Sequence, residues 1–205
     1  AGLRAAFAEA RGLGGENPLL RKQDAQALLP VLNGQVKLVA HVESANDIRA
    51  VLTLKRDFPT LDIVIVGAAE GWRVARELAA ARIPVIASAL TDLPNSFEQL
   101  GSTQSDIGRM KAAGVTVAIG MIDDEDTRQA QLSPQYAGNL VALTRVPGAT
   151  GLDWASAFAA ISSKPAEIMG LGGEIGSLRS GRRGDVVIWD GDPLEVTSGV
   201  TAVWI

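Results

Sequence analysis

Cysteine is absent from this 205-residue chain, and histidine occurs once. The first absence excludes a disulfide scaffold, a thiolate metal site and a cysteine nucleophile. The second leaves His41 as the single imidazole for acid–base work or metal ligation. No run of 18 or more apolar residues occurs, so no segment reads as a membrane-spanning helix. An excess of basic charge is also missing: 19 Lys and Arg stand against 23 Asp and Glu, a net charge of −4. That balance argues against a nucleic-acid partner, whose phosphates call for a basic face, and against a basic membrane-surface protein. The opening Ala-Gly-Leu-Arg-Ala-Ala-Phe lacks the order of a signal peptide and reads as helix interior. The expectation is a fragment or a processed piece, with its compartment left open.

What is present is a chain 47% apolar with 22 glycines, enough to build a core and many tight turns. Residues 1–11 and 22–33 read as helices. Four short apolar runs follow, Val36–Ala40, Leu61–Val66, Ile83–Ala87 and Val115–Ile119, each of strand length. Helical stretches separate them. One is announced by Ser44 and Asp47 at capping spacing and stopped at Phe58-Pro59; the others run over Glu70–Arg82 and Gln104–Ala113. Further helices are expected over 134–146, 153–163 and 165–170. Repeated strand–helix units imply parallel strands with right-handed crossovers. Runs that are apolar throughout imply a sheet covered on both faces. An open doubly wound sheet and part of a (β/α)₈ barrel both satisfy this. The four tryptophans are expected in the core. After Gly170 the chain becomes glycine-punctuated, with strands at Asp185–Asp190 and Val200–Ile205. That pair is marginal by itself and needs a sheet to join.

The tail carries a long ordered motif. Lys164-Pro165-Ala166-Glu167-Ile168-Met169-Gly170 is followed by Gly176-Ser177-Leu178 and Gly184-Asp185-Val186-Val187-Ile188-Trp189-Asp190-Gly191-Asp192-Pro193-Leu194. It resembles the C-terminal signature of the amidohydrolase superfamily, most closely its imidazolonepropionase and prolidase-related branch. The resemblance implies a (β/α)₈ barrel beside a small β-sandwich. On that plan residues 1–170 are the barrel's second half, strands five to eight, and residues 171–205 belong to a composite sandwich.

The resemblance also implies the chemistry: a divalent metal, zinc first, activates a water that attacks a carbon bonded to nitrogen in a small cyclic or linear amide. His41 stands where the fifth-strand metal ligand belongs. A sixth-strand histidine is expected after Val66, but Gly67-Ala68-Ala69-Glu70 is found. Asp123 or Asp124 is the expected general base after the eighth strand. Each residue also has a plainer reading. His41 can be a hydrogen-bonded pocket residue, Glu70 can replace the missing ligand or simply start the following helix, and Asp123–Asp126 can be a solvated acidic loop. Asp92 and Asn95 can touch substrate or merely shape a turn. The alternative function is a catalytically inactive amidohydrolase-fold module for binding or assembly that has lost its metal ligands. The implied partners are a small-molecule substrate and the N-terminal half of the same protein or a second chain. Without that half, an open sheet edge and a bare apolar face are expected to drive pairing or aggregation.

Overall fold

The computed structural model describes residues 2–13, 18–89, 91–120, 122 and 129–205. Its centre is a four-stranded parallel sheet of β1 (Leu38–Val42), β2 (Ile63–Gly67), β3 (Val85–Ala87) and β4 (Val117–Ile119). The strands lie side by side in chain order, with β1 and β4 at the edges. A doubly wound sheet reverses its order at a switch point; this one does not. The β1–β2 register runs from Leu38 opposite Ile63 to Val42 opposite Gly67.

Between strands run α3 (Ala45–Asp57), α4 (Ala75–Ala81) and α5 (Asp106–Ala112), preceded at the N-terminus by α1 (Gly2–Ala8) and α2 (Lys22–Leu32). The start of α3 is fixed by Ser44, whose hydroxyl accepts from the Asp47 N–H at 3.1 Å, one of the orphan donors of a first turn. Strand side chains alternate between faces. Leu38, Ala40, Val42, Ile63, Ile65, Val85, Val117 and Ile119 join the main core with Ile48, Leu52, Leu78, Ile107 and Met110 of the helices. Phe7 of α1 meets Phe58 edge-on at 5.6 Å and closes that core at one end.

The opposite face is covered unevenly. Ile168 of α8 (Ser163–Ile168) packs on Val64, Ala118 and Ile86. On β1, however, Val39 stays 51% exposed, so this edge is open in the chain by itself. The apolar run there reflects one buried face and one face that the described residues leave open.

The strands begin about two residues later than their apolar runs. Leu61, Ile83 and Val115 are buried in the core yet precede the ladder. Burial, not pairing, is what their side chains record.

Two more helices, α6 (Ser133–Ala142) and α7 (Trp154–Ala160), lead to the tail. There β5 (Val186–Trp189) and β6 (Val200–Trp204) form a separate antiparallel pair with a bulge at Ile188/Trp189. The Asp192-Pro193-Leu194 turn ties this ribbon to the helices. Leu194 is buried in the main core, and any side chain at Gly138 of α6 would overlap its carbonyl oxygen. Asp192 accepts from the Trp154 indole N–H at 2.9 Å. The tryptophans correct the sequence reading, because none is buried. Trp154 and Trp204 are exposed, while Trp72 and Trp154 place their N–H groups on Gly101 and Asp192 at the rim, as a ring with one polar end prefers.

Leu194→Ala should lower unfolding stability by about 2 to 4 kcal/mol, the usual cost of emptying a buried leucine site. Urea unfolding would measure it. A loss below about 0.5 kcal/mol, the range of surface substitutions, would show that the turn does not anchor the ribbon.

Candidate functional site

All four parallel strands point the same way, so the segments after β1, β2 and β3 emerge at one end of the sheet. In strand–helix folds this end is where ligands bind. His41 sits there, on the open face of β1. Its Nε2 lies 2.9 Å from Glu43 Oε1. A carboxylate oxygen accepts, so the contact places the ring proton on Nε2 and leaves the Nδ1 lone pair free of this bond. The imidazole is 61% exposed, whereas the Glu43 side chain is only 16% exposed. The second Glu43 oxygen accepts from the Ala69 N–H at 2.9 Å.

Gly67 makes this possible. Its φ is +95°, and a Cβ there would come within 2.7 Å of the Glu43 carboxyl carbon. The Glu43 carboxylate therefore lies in the space that a side chain at 67 would use. Ala68 follows at φ +58°, a left-handed conformation costing about 1 to 2 kcal/mol outside glycine. It is held by its N–H bond to the Val42 carbonyl at 2.7 Å.

Beside Glu43 is a cavity of about 10 Å³ lined by Gly67, Ser88, Thr91, Gln99 and Asp106 as well, the size of a single water. Asp106 opens α5 and accepts from the Trp72 N–H at 2.8 Å. Burial drives its pKa well above the ordinary 3.8, and the nearby Glu43 charge pushes the same way. The Trp72 hydrogen bond and Arg109 oppose the rise without cancelling it.

The amidohydrolase family profile matches residues 36–204. The chain belongs to the amidohydrolase family. An imidazolonepropionase of Maricaulis maris is 33% identical over 99 residues, 48% of this chain and 23% of that protein. The crystal structure of an amidohydrolase from Thermotoga maritima superposes with a TM-score of 0.79 at 22% identity, over 98% of this chain and 52% of that one. A zinc-bound adenosine deaminase from Xanthomonas campestris gives 0.61 at 20% identity, over 97% of this chain and 54% of that one. The two structural likenesses speak for the fold, a barrel-type one. The chain thus spans about half the length of these solved relatives and less than a quarter of the matched imidazolonepropionase.

Family members are generally metal-dependent, and a catalytic zinc takes about three protein ligands and an open position. The described residues do not fit that requirement by themselves: no three His, Cys, Asp or Glu among them converge on one point. His41 is paired with Glu43. Glu70 is buried and turned to the backbone, where its oxygens accept from Ala45 N–H at 3.0 Å and Gly101 N–H at 2.8 Å. Asp123 and Asp124 lie outside the described residues. Asp92 and Asn95 are exposed on the loop after β3, and Asn95 meets Gln99 through its backbone N–H at 3.1 Å.

The structure thus brings His41 to Glu43, and Glu43 to the cavity of Asp106. Sequence reasoning passed over both acids. Glu43 carried a readable signal, since residues two apart at a strand end share a face. Asp106 carried none, because an acid in a helix's first turn reads as an ordinary dipole partner.

Asp106 sets a pH dependence. With its native pKa raised, the folded state binds this proton more tightly than the unfolded chain does. Its stabilisation is full below the unfolded value near 3.8 and is lost as pH rises through the native one. Asp106→Asn keeps an oxygen for Trp72 and should flatten that alkaline-side loss in urea unfolding followed across pH. An unchanged slope would refute the assignment.

Proposed function

We propose that this chain contributes one half of a barrel that hydrolyses a carbon–nitrogen bond in a small cyclic or linear amide, with His41 at the reaction centre. The observation that carries the reading is the His41–Glu43 pair, an imidazole oriented by a carboxylate at the C-terminal end of a parallel strand. The relatives' names, imidazolonepropionase, amidohydrolase and adenosine deaminase, support a small nitrogen-containing substrate. On this reading β1–β4 are strands five to eight, residues 1–170 are that half-barrel and residues 171–205 are part of a composite sandwich. Support comes from the unreversed strand order and from the match of nearly the whole chain to half of a solved relative. The partner is then the N-terminal half of the same protein or a second chain, set against the open β1 edge.

The residues divide the work by environment. Glu43 is held by Ala69 N–H and in turn holds the His41 ring. His41 keeps a lone pair that can take a proton or coordinate a cation. A divalent metal, zinc first, would supply an activated water when bound. His41 is the one imidazole this chain has for it, and the remaining donors would come from beyond the described residues. Asp123 or Asp124 is the proposed general base, and Asp106 is a buried carboxyl beside Glu43 whose pKa burial raises.

The test is hydrolysis of a panel of cyclic and linear amides, imidazolones included, by the protein carrying this chain, with native mass spectrometry reporting partner and metal. His41→Gln should lower kcat/KM by about 100-fold or more, the scale of a lost acid–base group. Turnover that survives the substitution would sink the role of His41. No turnover on any substrate, from a metal-free complex, would assign the chain to non-catalytic binding instead.

A further inference from the structure

We infer that Glu70 is a positioning residue that sets the geometry of the His41–Glu43 pair from outside it. Its side chain touches neither group of the pair, yet its carboxylate joins the segments that leave three strands. One oxygen accepts from Ala45 N–H after β1, the other from Gly101 N–H after β3, and Glu70 itself follows β2. Its own N–H donates to the Glu43 carbonyl at 3.0 Å. Arg73 Nη1 stands 3.9 Å from Oε1 as a counter-charge. A carboxylate this buried is held where donors replace water, and these donors are backbone groups of the site's own loops.

Ala45 N–H is the first donor of α3. The Ser44 cap is spent on Asp47 N–H, so Glu70 serves the position that the cap cannot reach. The result is a crossed pair of acids. Glu43 reaches over to Ala69 N–H while Glu70 reaches back to Ala45 N–H. Each side chain grips the backbone that carries the other. Freeing the Glu70 carboxylate releases Ala45 N–H, two residues from Glu43, and the loosened helix start leaves the His41 ring a less firmly placed carboxylate to bond. Orienting groups must be held to about 0.5 Å to matter, and a loop without this tie has no other grip on Ala45 N–H among the described bonds.

The inference rests on the proposed role of His41 only for its catalytic consequence, and its test needs no turnover. This chain holds one histidine, so ring ¹⁵N spectra of the assembled protein with only this chain ¹⁵N-labelled, by segmental labelling where it belongs to a longer polypeptide, report the His41 tautomer without overlap. With the ring neutral, the bond to Glu43 should hold the Nε2–H form and keep the two ring nitrogens well separated in shift. Glu70→Gln puts an N–H against one of the two backbone donors and should narrow that separation towards the averaged value of a free ring. Glu43→Ala, which removes the acceptor, is the control for full narrowing. Ala45→Pro is the second variant. Proline suits a helix's first position and Ser44 is already extended at ψ 149°, but the ring removes the N–H and displaces Glu70. If Glu70→Gln unfolds the chain, Ala45→Pro decides. Narrowing in a variant that keeps its far-ultraviolet circular dichroism supports the inference. A folded variant with the wild-type separation overturns it and leaves Glu70 a purely structural tie, whatever the hydrolysis assay shows.

Discussion

Parallel pairing between β1 and β2 does not stop where the strands end. Val42 lies opposite Gly67, and the ladder takes one more step as Ala68 N–H bonds to the Val42 carbonyl. Side chains then continue what the backbone began, with Glu43 on Ala69 N–H and Glu70 on Ala45 N–H. The register decides which groups arrive. A slip of one residue would send His41 to the helix side and Ala40 to the open face. The main core, which takes Leu38, Ala40 and Val42 but not Val39 or His41, fixes that register and so fixes the site.

The two faces of the sheet divide stability from chemistry. The helix side buries the large apolar residues, among them Ile48, Leu78, Ile107 and Met110. The polar residues buried among those described are Glu70, Gln99, Ser105 and Asp106, all in the segments following β2 and β3. Each accepts from a backbone N–H: Glu70 from Ala45 and Gly101, Gln99 from Asn95, Ser105 from Thr150, Asp106 from Trp72. Unpaired, such groups would cost about 1 to 3 kcal/mol apiece. Paired, they hold loops that contribute little apolar area of their own. The site end is built from satisfied acceptors, the opposite layer from packing.

This division explains what was legible beforehand. The apolar runs located all four strands and the capping residues located α3, because each is a local signal of burial or of an orphan donor. Strand starts came out early, since Leu61, Ile83 and Val115 are buried without pairing. The tail motif pointed to the family, and its Asp192-Pro193-Leu194 turn has a visible task in locking the ribbon to α6 and α7. His41 was found at a strand end as a lone imidazole. Glu43, two residues on and on the same face, was legible but passed over; Asp106 was not legible, because its role depends on Trp72, 34 positions away in the chain. No local pattern encodes such a partner.

Gly67 and Glu43 also constrain how this sequence can change. They share one volume, the glycine's missing side chain being the carboxylate's seat. Positions in such contact are not independently substitutable. A side chain at 67, a histidine included, would have to displace the Glu43 carboxylate and take up a φ of +95° that residues other than glycine rarely adopt, and a shortened residue at 43 leaves that seat empty while 67 is glycine. The two positions thus form one unit, in which the residue without a side chain makes the seat and the acid fills it.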